Sequence, residues 1–252
     1  MGSFTKWLGA GLGFTLGGPI GAAIGFALGS FVDGFSEDDV KYEQKEYQER
    51  VSSANGTVNT NSGDFEMSLL VLASIVIKSD GKVDQRELDF VRAQFVGMYG
   101  KERANNAFKL FKGIIKKEVS SRQVCIQIRE HMSHASRLQL LHFLFGIAKA
   151  DGFVIPSEIE EIKKIAGYLY INQNDFDSIK AMFYDESDAA YKILEITKDA
   201  TNDEVKKAYR IMAKKYHPDK LQDLGPEHIN GAHEKFQSIQ SAYEKIKSER
   251  GL

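Results

Sequence analysis

Cysteine is nearly absent from this sequence, and the residue clusters that mark enzymes and metal proteins are missing. Cys125 is the single cysteine among 252 residues, so no internal disulfide can form and a reducing compartment is predicted. Its apolar, helical neighbourhood favours a small buried hydrophobe over a reactive thiol. No zinc-site spacing, nucleophile–base pair or phosphate-binding loop occurs, which argues against an enzyme. The formal net charge of −2 gives no global field that would attract nucleic acid.

Charge is also missing from the stretch between Lys6 and Asp33, where glycine recurs at every fourth position. The repeated positions are Gly9, Gly13, Gly17, Gly21, Gly25 and Gly29. On a helix they form one bare ridge that lets a second helix approach closely, so a homodimer is possible through this glycine ridge. Residues 7–32 would make a rod of about 39 Å, enough to cross a hydrocarbon core of about 30 Å. Because each glycine costs about 1 kcal/mol relative to alanine in an aqueous helix, the pattern favours lipid over solvent.

Two other interpretations of this N-terminal segment remain open. A cleaved signal peptide competes with it, although the charged start is thin and no clear cleavage site is present. The run Gly17-Gly18-Pro19 also permits a re-entrant hairpin. We assign residues 1–35 to a glycine-rich, membrane-associated segment and the polar, turn-rich residues 36–64 to a flexible linker.

Residues 65–185 have helical periodicity throughout, with helix starts predicted near Ser120, Pro156 and Asn172. A repeat is visible at an offset of 71 residues, for example Asp80-Gly81 against Asp151-Gly152. The repeat predicts two similar helix-turn-helix units in one bundle.

The repeated turns carry carboxylates that could bind a divalent cation through oxygen, and the twelve-residue spacing of an EF-hand is absent. These candidate ligands are Asp80, Asp84, Glu87, Asp151 and Glu158. This region resembles the TerB family of tellurite-resistance-associated helical domains, for which metal binding has been suggested. The alternative needs no metal: an Asp caps the turn, a Gly adopts left-handed geometry and a Glu occupies the first turn of the next helix.

The C-terminal region, 186–252, contains a basic amphipathic helix that ends at a proline-bearing turn. Val205, Tyr209 and Met212 form part of its apolar stripe, and Asn202 is the expected N-cap. Pro218 disfavours helical geometry at His217, so the helix should stop there. A second helix, marked by Phe236, Ile239, Tyr243 and Ile246, should pack against the first as an antiparallel hairpin.

The order of these residues resembles the J-domain family, the part of DnaJ-type co-chaperones that stimulates a DnaK-type ATPase. The resemblance runs from about Asp188 to Lys247 and includes the tripeptide His217-Pro218-Asp219. It implies a chaperone-binding surface made of His217, Pro218, Asp219, Lys206, Lys207, Arg210, Lys214 and Lys215. Glu195 stands where many relatives have glycine, and we expect it to affect packing more than partner contact.

A membrane segment, a TerB-like bundle and a C-terminal J-domain occur in the order typical of DjlA-type co-chaperones. The sequence therefore predicts an all-α, non-enzymatic co-chaperone without a cofactor, tethered to the cytoplasmic membrane with the J-domain facing the cytosol. Soluble cytoplasmic location is the alternative. The second function considered is a stress-linked membrane scaffold whose TerB-like domain binds a divalent cation or a partner protein.

Overall fold

The computed structural model describes residues 62–116, 118–150, 152, 155–184, 187–217 and 226–251. No strand occurs among them, which confirms the predicted all-α class. The predicted glycine ridge, the membrane-associated segment and most of the linker lie outside these residues. In the described part of the chain, no helix is both long and apolar enough to span a membrane.

The described residues form ten helices. They are α1 (Ser62–Ile77), α2 (Gln85–Tyr99), α3 (Lys101–Ile114), α4 (Ser121–His131), α5 (His134–Ala148), α6 (Pro156–Tyr168), α7 (Gln173–Ala181), α8 (Ala189–Ile193), α9 (Asn202–Lys215) and α10 (Pro226–Arg250). The chain divides into two compact units, Met1–Ser133 and His134–Leu252. Helices α5 to α7 thus share a unit with the C-terminal helices α8 to α10.

In the first unit, α1 packs against α3 and α4, and α2 packs against α3. Helix α1 is apolar on most sides, and Leu69, Val71 and Leu72 are fully buried. Cys125 of α4 is buried, which confirms its interpretation as a small core residue.

The second unit is built around α5, which packs against α6, α7 and α10. From Leu138 to Ala148 every residue of α5 is buried. Its lack of an amphipathic pattern follows, because a helix covered on all sides needs no polar face. The aromatic ring of Phe145 lies 5.5 Å from that of Phe176 on α7, between ring centres.

The predicted helix starts at Ser120, Pro156 and Asn172 are confirmed. Ser120 and Asn172 are the N-caps of α4 and α7, and their side chains accept hydrogen bonds from the amides of Gln123 and Asp175. Pro156 occupies the first helical position of α6, where its missing N–H costs nothing. Local capping chemistry was therefore sufficient to place these three starts.

The last helix closes back on the beginning of the C-terminal region. Arg250 donates from Nε to the hydroxyl of Tyr191, at 3.2 Å, and from Nη2 to the carbonyl of Lys198, at 2.7 Å. Its guanidinium also lies over the ring of Tyr191, 5.2 Å from the ring centre. One side chain thereby joins the end of α10 to α8 and to the loop that precedes α9.

Candidate chaperone-binding site

Helix α9 begins one residue before the predicted position. Thr201, not Asn202, is the N-cap: its Oγ1 accepts from the amide of Glu204, while the Glu204 carboxylate accepts from the amide of Thr201 at 2.7 Å. This reciprocal capping box satisfies two amide groups that the helix itself leaves unpaired, so it wins over a lone Asn cap. The sequence Thr201-Asn202-Asp203-Glu204 contains the signal that identifies it.

Helices α9 and α10 pack as the predicted antiparallel hairpin. Val205 and Met212 of α9 are buried, as are Ile239 and Ile246 of α10. The rings of Tyr209 and Tyr243 stack with their centres 4.2 Å apart. Because His217 contacts Phe236 whereas Tyr209 contacts Tyr243, the two helices run in opposite directions.

The turn after α9 is accessible at its first residue. The helix ends with the amide of Tyr216 bonded to the carbonyl of Met212, and His217 follows as an exposed, non-helical residue. The rings of His217 and Phe236 form a T-shaped pair with their centres 5.7 Å apart. Pro218 and Asp219 lie outside the described residues. His217 is therefore on the surface, where a partner can reach it.

Four predicted basic residues form an exposed surface along α9. They are Lys206, Lys207, Arg210 and Lys214. Arg210 also donates from Nε to the carbonyl of Lys206 at 3.2 Å, which leaves its guanidinium at the surface. These residues share one side of the helix because they recur at three- and four-residue steps. We call them the basic surface of α9.

Lys215, the fifth predicted basic residue, has a different environment. It is half-buried, and its ammonium contacts the carboxylates of both Asp175 and Glu195, the latter at 2.8 Å. Asp175 is only 1% exposed and also accepts from His134 at 3.0 Å. We call Lys215, Asp175, Glu195 and His134 the Lys215 clamp, since it joins α9 to α5 and α7.

The clamp shifts the pKa values of its members. Burial raises the pKa of Asp175, but hydrogen bonds from His134 and Lys215 outweigh burial and bring the pKa from 3.8 to about 2. Burial opposes the charged form of Lys215, yet its hydrogen bonds to Asp175 and Glu195 raise the Lys215 pKa. Both residues are therefore charged at neutral pH.

Glu195 is held in a backbone conformation that favours glycine. Its φ is +58°, the left-handed region, which costs a non-glycine residue about 1–2 kcal/mol. Its carboxylate accepts a hydrogen bond from the Lys215 ammonium at 2.8 Å. Glu195, which was expected to affect packing more than partner contact, therefore also contacts one of the predicted partner-binding residues.

Two further charged or polar residues of the second unit are buried, and the sequence pattern did not single them out. Lys235 of α10 is 1% exposed, and its ammonium lies 5.3 Å from the centre of the Tyr216 ring. Burial lowers its pKa from 10.5 to about 7. Burial likewise lowers the pKa of His142 on α5, with a contribution from Lys235, so His142 is neutral and its 3.9 Å approach to Glu234 is not an ion pair at neutral pH. A periodicity argument misses them because both residues are polar at core positions.

The carboxylates in the repeated turns form hydrogen bonds with residues that are close in sequence. Asp80 accepts from the amide of Lys82 at 2.8 Å, and Asp84 is the N-cap of α2 with its carboxylate on Arg86. Glu87 and Glu158 each accept from the amide of the residue three positions earlier. Both turns also place a glycine in left-handed geometry, with φ of +81° at Gly81 and +88° at Gly152.

These contacts are those of the metal-free alternative. Among the described residues, no group of three or more His, Cys, Asp or Glu side chains is arranged to hold a metal ion. Asp151, the remaining candidate ligand, lies outside the described part. The divalent-cation site therefore stays a prediction that these contacts do not favour.

Comparison with known proteins gives the same order of domains as the sequence. The tellurite resistance protein TerB family matches residues 66–181, the DnaJ domain family matches residues 189–250, and the DjlA co-chaperone transmembrane domain family matches residues 1–52. Co-chaperone protein DjlA of Vibrio vulnificus strain CMCP6 is 30% identical over 232 residues, covering 75% of this chain and 79% of the relative.

The chain belongs to the DjlA co-chaperone family.

Other relatives match shorter stretches of the chain at higher identity. Co-chaperone protein DjlA of Shewanella oneidensis is 51% identical over 65 residues, 25% of each chain. Chaperone protein DnaJ of Staphylococcus carnosus is 49% identical over 59 residues, which is 23% of this chain and 14% of that protein. No solved structure matches the chain.

Proposed function

We propose that this chain is a co-chaperone that stimulates ATP hydrolysis by a DnaK-type chaperone through its J-domain. Membership of the DjlA family and the match of residues 1–52 support a membrane-attached co-chaperone. The observation that carries the ATPase step is the exposed His217 at the end of the basic surface of α9.

The geometry suits recognition of an acidic partner surface. The cations of the basic surface draw a partner in through long-range attraction and fix its register. The stacked Tyr209 and Tyr243 rings hold α9 against α10, so His217, which follows α9, is presented on a rigid hairpin. A preorganised site loses little conformational entropy when the partner binds.

A single substitution tests the proposal in the full chain, reconstituted in phospholipid nanodiscs with purified DnaK and ATP. His217→Gln replaces the imidazole with a side chain of similar size that still forms hydrogen bonds. We expect it to abolish stimulation of ATP hydrolysis while leaving helicity unchanged. His233→Gln is the matched control, because His233 is another exposed histidine in the same hairpin. Stimulation by His217→Gln equal to that of the control would contradict the proposal.

The J-domain faces the cytosol in this proposal, because a DnaK-type partner consumes ATP. Lys6 before residues 7–32 and the acidic residues after them favour the other orientation only weakly, since one lysine carries little weight. Protease added to inverted membrane vesicles should remove the J-domain, and protease added to spheroplasts should not. The reverse pattern would show the opposite orientation.

The glycine ridge supplies a homodimer contact in this proposal. Replacing Gly21 and Gly25 with leucine should reduce disulfide-independent chemical cross-linking of the full chain in membranes, because the bulkier side chains hold two helices apart. Ala23→Leu is the control, since Ala23 lies between them in sequence and off the ridge. Equal cross-linking in all three proteins would remove the ridge as the contact.

A further inference from the structure

Lys215 stands apart from the basic surface of α9 although it belongs to the same helix. The four residues of that surface are exposed, whereas Lys215 is half-buried between two carboxylates. One carboxylate, Asp175, is forty residues away in sequence and lies on α7. The resemblance to J-domains assigns Lys215 to the partner, and the structure assigns its ammonium to an internal contact.

The carboxylates of the clamp come from two different family segments. Asp175 lies in the part matched by the TerB family, and Glu195 lies in the part matched by the DnaJ domain. Lys215 therefore bridges the J-domain to the TerB-like helices α5 and α7, together with the hydrogen bond from His134. A charge pair this deeply buried on the Asp175 side is costly to break from one side, because the remaining charge loses its compensation.

We propose that the Lys215 clamp is an intramolecular restraint that competes with the chaperone for Lys215 and fixes the J-domain to helices α5 and α7. A partner that takes the Lys215 ammonium has to separate it from Asp175 and Glu195. Partner binding and clamp closure then oppose each other, so anything that opens the clamp raises the affinity for the partner. This inference rests on the proposed function.

The backbone at Glu195 is a second observation that supports the clamp. Glycine adopts the left-handed region most easily, and a glutamate there carries a backbone penalty. Its carboxylate is the second of the two that contact the Lys215 ammonium, at a distance of 2.8 Å. The strain at Glu195 thus accompanies a contact that glycine could not make.

The test uses the full chain in nanodiscs and two measurements. Asp175→Asn opens the clamp while keeping the side-chain shape and the amide oxygen that can accept from His134. Asp177→Asn is the matched control, because Asp177 lies on the same helix and bonds Gln173. Lys215→Met, alone and combined with Asp175→Asn, removes the contested ammonium. The measurements are the concentration that half-saturates DnaK ATPase stimulation and the hydrogen exchange of α7 and α9.

The clamp predicts that Asp175→Asn lowers the concentration that half-saturates ATPase stimulation by about fivefold or more. The maximal rate should not change. Adding Lys215→Met to Asp175→Asn should cancel that gain, and Lys215→Met alone should change little. Amides of α7 and α9 should exchange faster in Asp175→Asn than in Asp177→Asn. The proposal is wrong if the two aspartate variants half-saturate at the same concentration and Lys215→Met alone weakens binding. Lys215 would then contact the partner and not the clamp.

The exchange measurement separates failure of the clamp from failure of the proposed function. If the wild-type chain does not stimulate the ATPase, the proposed function falls, and faster exchange in Asp175→Asn still supports the internal contact while equal exchange refutes it. If the wild-type chain stimulates the ATPase and the aspartate variants match in both measurements, only the clamp is wrong.

Discussion

The acidic turns of the repeat and the basic helix α9 both carry several charged side chains, but these side chains have different partners. In the turn before α2, Asp84 and Glu87 bond to backbone amides or to Arg86, two or three residues away. On α9 the basic surface is exposed, and Lys215 reaches forty residues back to Asp175. Charges with close partners in sequence cap helices, whereas charges directed outward or to distant elements are the better candidates for function.

The largest change in affinity for the chaperone should come from the basic surface of α9. Replacing Arg210 and Lys214 with alanine should raise the half-saturating concentration for DnaK stimulation roughly tenfold, equal to about 1.4 kcal/mol of binding free energy. The reason is the loss of two exposed cations that face an acidic partner.

The matched control for that experiment is the replacement of Lys109 and Lys112 on α3, which are also exposed and lie three residues apart. Asp84→Asn with Glu87→Gln should likewise leave stimulation unchanged. Comparable losses in all three double variants would break the distinction between capping charges and partner charges.

The sequence predicted most of the J-domain because its signals are local. The apolar stripe and the proline after the helix lie within a few turns of each other, so the extent of α9 follows from periodicity and turn chemistry, although its N-cap is Thr201 and not the predicted Asn202. The partner of Lys215 could not be predicted in the same way. Asp175 enters the site only through the packing of α5, α7 and α10, and the unusual Glu195 was the one local hint.

The largest change in folding stability is expected in acid. Because the folded pKa of Asp175 is about 2 and its ordinary value is 3.8, its ionised form contributes roughly 2 kcal/mol that is present above pH 4. This contribution is lost as the pH falls from about 4 towards 2, and Asp175→Asn lacks it at every pH.

Urea unfolding followed by circular dichroism measures this difference directly. Wild type should exceed Asp175→Asn in unfolding free energy at pH 7, and the two should converge near pH 2. Asp177→Asn provides the comparison for the removal of an equivalent charge on α7. A gap that stays constant from pH 7 to pH 2 would show that the ionised carboxylate of Asp175 is not what stabilises the unit.

A smaller effect separates backbone strain from charge at Glu195. Glu195→Gln removes the charge but leaves a non-glycine residue in the left-handed backbone region. Glu195→Gly removes the charge and also relieves the backbone strain. Glu195→Gly should therefore be more stable than Glu195→Gln by about 1 kcal/mol. Thermal unfolding checks the order, and a glutamine variant at least as stable as the glycine variant would contradict the strain.

The smallest effect is expected from divalent cations. Magnesium or calcium at millimolar concentration should not raise the melting temperature of the full chain, because Asp80, Asp84 and Glu87 already accept hydrogen bonds from the chain. Magnesium is tested against an equal ionic strength of sodium chloride. A rise that Asp80→Asn abolishes would restore the metal site at the first turn.

The contacts of Arg250 have a practical consequence for anyone producing the protein. This side chain ties the last helical turn to Tyr191 and to the carbonyl of Lys198. A shortened expression clone that stops before Arg250 lacks the contacts that join α10 to α8 and to the loop before α9. Such a clone should unfold at a lower temperature even though His217 and the basic surface of α9 are intact.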